Sequence, residues 1–418
     1  MSTSPRSRTV VGCSLLVAVA AGLTSCSGGH PLAARPYDAG DRIALSAPVG
    51  DGKKADPDKP LEVTSRDSGG RLTDVTVTDA AGRRVPGELT ADGSRWRSTS
   101  PLASGAHYTV RVSTEDEDGA PGRKVVEFDT GAGSAKKVNV AFGPDAGTYG
   151  VGQPVTATLS EPVKGKAARA VVERSLHVSA KPAVEGSWYW VDDTTLHYRP
   201  KEYWPAHATV EVSSDLRGLK VADRLRGGEA KPLKLTTGDK IVAATDAATH
   251  TMTVYRNDEE INAIPVTTGK SGFETRNGVK VVLGKQYFVR MRSTSIGIAE
   301  GSAESYDLPV YYATQLTLSG EYVHAAPWSV DSQGSANVSH GCTGMSTSNA
   351  EWFYETVRPG DVVTVVNSEG DPMAAFGNGY GDWNLSWEDW RKGSALSPAK
   401  PAKPAGLLDQ ARLRPQGA

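Results

Sequence analysis

The chain has 418 residues with 46 Lys and Arg against 48 Asp and Glu, a net charge of −2 that excludes a dedicated nucleic-acid binder, which would carry a basic surplus. Forty-five Gly, 25 Pro and 38% hydrophobic residues describe a turn-rich, mainly β globular protein rather than a disordered or collagenous one. Three cysteines exclude a disulfide-stapled scaffold, and the length suits about three domains of roughly 150 residues.

Arg6 and Arg8 precede an uncharged apolar run from Val10 to Leu23, shorter than the span of about 20 residues that crosses a bilayer. It reads as a secretory signal. The run closes on Leu23-Thr24-Ser25-Cys26, which resembles a lipobox. Residues 1–25 are therefore expected to be a lipoprotein signal peptide, Cys26 the lipidated N-terminus, and 26–40 a linker. Cleavage removes Cys13 and lipidation consumes the Cys26 sulfur. Cys342 then remains as the single free thiol of an exported chain, with no partner for an intrachain disulfide.

From residue 41 short runs of alternating apolar and polar residues, such as Leu72–Thr78 and Tyr108–Val112, are separated by Gly, Pro, Asp and Ser clusters. The segment Pro101–Val112 is echoed 100 residues later, at Tyr203–Val212, and Phe128-Asp129-Thr130-Gly131 by Leu235-Thr236-Thr237-Gly238. A period near 100 residues of short strands predicts two tandem immunoglobulin-like sandwiches, 41–131 and 137–238. His107 and His207 occupy equivalent repeat positions without a second ligand at zinc spacing, so they read as turn or strand-edge residues. Trp188, Tyr189, Trp190, Tyr198, Tyr203 and Trp204 read as core of the second module and as a packing surface towards the next domain.

Residues 239–367 continue in longer strands, including Thr251–Tyr255 and Asp361–Val366, and predict a third β domain with one helix after Ser346, over Ser348–Glu355. A segment rich in Gly, Trp and Asp forms a small C-terminal extension at 368–393. The Pro, Ala and Lys tail at 394–418 is expected to be flexible.

The chemistry concentrates at Tyr322-Val323-His324-Ala325-Ala326-Pro327-Trp328 and Ser339-His340-Gly341-Cys342-Thr343-Gly344. A thiol with an ordinary pKa of about 8.5 needs a nearby imidazole to act as a nucleophile. His324 lies 18 positions upstream of Cys342, far enough to come from a neighbouring strand, while His340 shares a face with Cys342 only in extended backbone. Gly341 permits the tight turn that presents backbone N–H groups to an oxyanion. On these residues alone Cys342 reads either as a nucleophile or as a buried core cysteine.

The pattern resembles the signature of the YkuD-type L,D-transpeptidases of peptidoglycan synthesis. The resemblance extends through Gln333-Gly334, Asn337, Asn349–Tyr354 and Gly381–Asn384, and is nearest to members with two immunoglobulin-like modules and an N-terminal anchor. It implies a mainly β chain: two tandem Ig-like sandwiches, then a YkuD-type β-sandwich catalytic domain. It further implies a cysteine acyltransferase that forms 3→3 cross-links between diaminopimelate residues of donor and acceptor tetrapeptide stems, with release of D-Ala. By this resemblance Cys342 is the nucleophile and His324 the base, oriented by the Ala325 carbonyl. His340 fixes the loop, Ser339 belongs to the same motif, and N–H groups around Gly341 and Cys342 bind the oxyanion. Tyr306 matches the tyrosine of the family's lid, and Met291, Trp328, Thr343 and Gly344 match substrate-pocket positions.

Gly344 departs from the pattern, since most members have Asn there. The resemblance implies carbapenems as covalent inhibitors and a lipid-anchored place on the extracytoplasmic face of the membrane, towards the wall, with the two modules as a stalk. No cofactor or metal is expected, as neither a phosphate-binding glycine loop nor paired metal-ligand spacing occurs. Two alternatives stay open: an L,D-carboxypeptidase that trims tetrapeptide stems, and a non-catalytic, lipid-anchored wall-binding protein.

Overall fold

The computed structural model describes residues 35–398 except positions 51 and 134. The signal peptide, Cys26 and the tail beyond 398 lie outside the described residues. The chain divides into two units: residues up to Val49 with Leu61–Thr99 and Tyr108–Glu127, and Gly50–Pro60 with Ser100–His107 and everything from Phe128 onward.

The first unit is built on two four-stranded sheets. Strand His107–Glu115 buries Tyr108, Val110 and Val112 and turns His107 and Arg111 outward, the alternation its sequence predicts. Its partner Arg71–Asp79 carries a register shift between Leu72 and Asp74, which lets Leu72 and Val77 both point inward although their positions differ in parity.

In the second unit, residues 136–237 form a four-stranded and a six-stranded sheet. They enclose Val140, Val155, Leu196, Val210, Trp188, Trp190 and Trp204. A helix, Lys166–Arg174, stands where the sequence reading expected only strands. Nine residues free of Gly and Pro place Ala168, Ala170 and Val172 on a buried face. His107 and His207 each hydrogen-bond an aspartate, Asp129 and Asp239, at 3.0 Å.

The remaining β layers are a five-stranded sheet and a four-stranded sheet, the latter ordered Gly284–Arg292, Asp307–Gln315, Tyr322–Ala325, Thr343–Met345. The last two strands pair in parallel, which requires the crossover through the short helix Pro327–Ser332. Helix Thr347–Thr356 follows, with the Ser346 hydroxyl accepting from the Asn349 N–H at 3.2 Å as its N-cap. Its apolar side joins Val323, Ala325 and Met345 in one core through Ala350 and Phe353.

Residues 368–393 are not a separate extension but a strap against the second sandwich. Buried Trp390 donates its indole N–H to Ser187 O at 2.9 Å, and Trp383 donates to Gly152 O at 2.8 Å. The Arg199 guanidinium lies 4.7 Å from the Trp383 ring and 4.6 Å from the Trp390 ring. Residues 394 and 395, where a flexible tail is expected to begin, are bonded into the second sandwich. Ser394 and the Ala395 N–H both bond the buried Glu173 carboxylate, the latter at 2.7 Å, and Ala395 joins the core of the second sandwich. Small residues at 394 and 395 let the backbone approach that carboxylate, which tail composition does not reveal.

Candidate active site

The parallel register sets Val323 opposite Thr343, His324 opposite Gly344 and Ala325 opposite Met345. Because side chains alternate, Val323, Ala325, Thr343 and Met345 fill the core. His324, Gly344 and Cys342, immediately before the second strand, open instead into a pocket of about 790 Å³. Thr343, expected at the substrate, is 1% exposed and outside that lining, since strand alternation turns it inward.

His324 is 5% exposed. Its Nδ1 lies 2.8 Å from Ala325 O, and a carbonyl only accepts, so Nδ1 carries the proton and Nε2 keeps its lone pair. Burial holds the imidazole below its usual range, the bond to Ala325 opposing. The Cys342 thiol donates to Gly320 O at 3.4 Å. Burial pushes it up to about 11; the Tyr322 backbone N–H and Lys280 oppose, while the Glu321 carboxylate adds to the rise. The resting pair is thus a neutral thiol and a neutral imidazole, not a thiolate beside an imidazolium.

The motif loop is held from several sides. Gly341 adopts φ +110°, open to glycine, and its carbonyl accepts from Thr275 Oγ1 at 2.9 Å. Ser339 Oγ donates to Cys342 O at 2.6 Å and accepts the Gly341 N–H at 3.2 Å. His340 reaches the Glu304 carboxylate through Nε2 at 2.7 Å, and its ring packs between Phe273 and Tyr306, with centroids 4.6 and 5.1 Å away. Lys270 Nζ meets the same carboxylate at 2.5 Å. Glu304 and Tyr306 both precede strand Asp307–Gln315, so this segment is tied to the motif loop at the pocket mouth.

Met291, Tyr306 and Trp328 line the pocket together with Ser339, His340, Gly341 and Cys342. Trp328 is 52% exposed, its ring 6.1 Å from that of His324. Gly344 is closely surrounded: a Cβ there would lie 2.9 Å from Ala326 Cβ and 3.1 Å from Thr267 Cγ2.

Sequence reasoning did not single out Thr275, Glu304, Lys270, Gly320, Glu321, Arg276 or Lys280. Surface-type residues in loops give no local signal of such contacts. Lys280, between Val279 and Val281, reads as the outward residue of an alternating strand, yet it is fully buried. Among the described residues no group of three His, Cys, Asp or Glu side chains is placed to hold a metal ion.

Comparison with known proteins identifies the context of this geometry. Residues 52–220 match the bacterial Ig domain family, and residues 240–365 match the L,D-transpeptidase catalytic domain, YkuD. The chain is 35% identical over 352 residues to L,D-transpeptidase 2 of Mycobacterium tuberculosis (strain CDC 1551 / Oshkosh), covering 84% of this chain and 85% of that protein. It is 33% identical over 356 residues to L,D-transpeptidase 5 of Mycobacterium tuberculosis (strain H37Rv), covering 83% and 76%. A solved L,D-transpeptidase in complex with imipenem is 36% identical, over 55% of this chain and all of that one, with a TM-score of 0.48. The chain belongs to the L,D-transpeptidases, as a mainly β protein with an Ig-like region followed by a YkuD domain.

Proposed function

We propose that this L,D-transpeptidase makes 3→3 cross-links through a Cys342 thioester. Sγ attacks the carbonyl of the amide joining the L-centre of diaminopimelate to D-Ala in a donor tetrapeptide stem, and the thiol proton passes to His324 Nε2. The oxyanion collapses, the C–N bond breaks as the leaving nitrogen takes that proton from His324, and D-Ala departs while the acyl group stays on sulfur. The side-chain amine of an acceptor diaminopimelate then attacks the thioester and gives a proton to His324. The C–S bond breaks and the thiol is restored. The Cys342 N–H serves the oxyanion. The Gly341 N–H joins it only by leaving Ser339 Oγ, its present acceptor.

One observation carries this reading: Ala325 O fixes the His324 tautomer so that the unprotonated Nε2 belongs to the same sheet face and pocket as Cys342. Tethering through Cys26 at the extracytoplasmic face, and acylation of Cys342 by the strained carbonyl of carbapenems, belong to the same reading.

The test is to incubate the soluble chain with a defined tetrapeptide stem and weigh protein and products. The expected result is an acyl adduct on Cys342, free D-Ala and dimers joined between diaminopimelates. Tripeptides without dimers would instead make the protein an L,D-carboxypeptidase. Turnover retained by Cys342→Ala would defeat the cysteine mechanism.

A further inference from the structure

A fully buried lysine is rare unless it is paired, and Lys280 is 0% exposed in strand Gly278–Val281. Its Nζ donates to Arg276 O at 2.7 Å and lies 2.7 Å from Glu321 Oε2. The other carboxylate oxygen, Oε1, accepts from Arg276 twice, from Nη1 at 2.9 Å and from the backbone N–H at 3.2 Å. Arg276 Nη1 also reaches Ser319 Oγ at 3.3 Å. The three charges therefore close a ring around one end of the turn Thr317–Glu321.

That turn is pinned elsewhere as well. The Glu321 N–H donates to Thr317 Oγ1 at 2.9 Å, Glu321 O accepts from the Leu316 N–H at 2.9 Å, and the Ser319 N–H donates to Asn378 Oδ1 at 2.7 Å. At its tip Gly320 adopts φ +101°, and its carbonyl is the acceptor of the Cys342 thiol. Burying an ion pair is weak evidence for stability, because desolvation cancels much of the attraction. A cluster that ends on the acceptor of the thiol has a more specific use.

We infer that Lys280, Glu321 and Arg276 are positioning residues whose buried charge cluster fixes the Thr317–Glu321 turn and thereby holds the Cys342 thiol through Gly320 O. This rests on the reading of Cys342 as the nucleophile. The charged and titratable groups about the sulfur are Lys280, Glu321 and Arg276, the hydroxyls of Tyr306 and Tyr322, His324 across the strand pair, and His340 in the same pocket lining. Burial draws the Lys280 ammonium below its ordinary range while Glu321 pulls it back. Loss of the thiol's acceptor and of the nearby carboxylate both ease ionisation of the sulfur, and together they outweigh the loss of the Lys280 charge, whose effect on the sulfur is weaker than that of Glu321.

The experiment uses the full chain carrying Lys280→Met with Glu321→Met, which replaces the pair by apolar side chains of similar length. Two readouts are taken: the rate of Cys342 acylation by a carbapenem, followed by mass, and the pH profile of its alkylation by iodoacetamide. Acylation should slow by about tenfold or more, because small misplacements of a reacting group are costly. The alkylation midpoint should move to lower pH. A merely structural cluster would not move the two readouts in opposite senses. Lys280→Met with Glu321→Gln keeps an acceptor for Arg276 and should recover most of the acylation rate. Arg276→Met, at a partly exposed position, covers the case in which the double variant does not fold; it should slow acylation several-fold, through the loss of one arm of the clamp.

A folded double variant with wild-type acylation and alkylation would overturn the inference, as would an unchanged Arg276→Met. Failure of the wild-type chain to acylate would count against the nucleophile reading, while the alkylation profiles would still decide the positioning role.

Discussion

Gly344→Ala probes how the strand carrying Gly344 is seated against His324. The Gly344 N–H donates to Thr267 O at 2.8 Å and its carbonyl accepts from the Thr267 N–H at 2.9 Å, so the backbone is clamped on that side. An added Cβ would sit 2.9 Å from Ala326 Cβ and 3.1 Å from Thr267 Cγ2, where carbon atoms prefer about 3.5–4.0 Å. Ala326 has no rotor to turn aside, is buried, and donates its N–H to Met345 O at 2.8 Å. Forced insertion of this kind costs about 1–3 kcal/mol, and the stiffer unfolded chain returns about 0.4–1 kcal/mol, leaving a net loss of about 1–2 kcal/mol.

Ala326→Gly alone should also destabilise, but in the double variant the new methyl takes the space of the old one. The double loss should then fall short of the sum of the singles by about 1 kcal/mol. Urea unfolding followed by tryptophan fluorescence, with the slope checked for constancy, measures all four states. Because Ala326 adjoins the carbonyl that orients His324, acylation should slow in Gly344→Ala and recover in the double variant. Strict additivity, or a Gly344→Ala chain more stable than wild type, would refute the packing argument. An Asn side chain, which the family pattern leads one to expect here, meets the same obstruction, so Gly344→Asn is expected to lose stability before it changes donor or acceptor preference.

Three further outcomes follow from the geometry. With the Cys342 thiol pushed up to about 11, above the ordinary range of about 8.5–9, its alkylation by iodoacetamide at pH 8 should run about a hundredfold or more slower than that of an unshifted thiol, and a midpoint within that ordinary range would contradict the neutral pair. Lys270 and His340 hold the Glu304 carboxyl below its ordinary range, so the tie between the 293–306 segment and the motif loop persists at neutral pH and is lost only as pH falls through that lowered value. Glu304→Gln should raise KM roughly two- to fivefold with little change in kcat and speed proteolysis within 293–306; unchanged KM and cleavage would argue against the tie. Trp390→Ala should destabilise by about 3–5 kcal/mol, as expected for a buried tryptophan, and Trp390→Phe by less, through the lost bond to Ser187 O; differential scanning calorimetry of the full chain distinguishes these from a neutral surface change.

Much of this was legible in the sequence because the signals are local. Alternation of Tyr108, Val110 and Val112 marks a half-buried strand wherever it occurs, and Ser348–Glu355 announces its helix through its cap. The motif residues alone left Cys342 open between nucleophile and core cysteine; what the structure adds is that Cys342 and His324 line one pocket. Reading Thr343 as a substrate contact failed because one position of strand parity separates the pocket from the core.

The amino-acid order by itself determined a mainly β chain, since alternation over short spans marks its strands, and it set the Cys342 thiol and two imidazoles close together in one stretch. Tertiary structure alone decided that a parallel register sets His324 across from Gly344, that Lys280 lies buried against Glu321, and that Trp383 and Trp390 reach carbonyls some 200 residues upstream, at Gly152 and Ser187. The physical reason is common to all three: each depends on which distant strands pair and in what register, and long-range pairing leaves no mark on the residues immediately beside it.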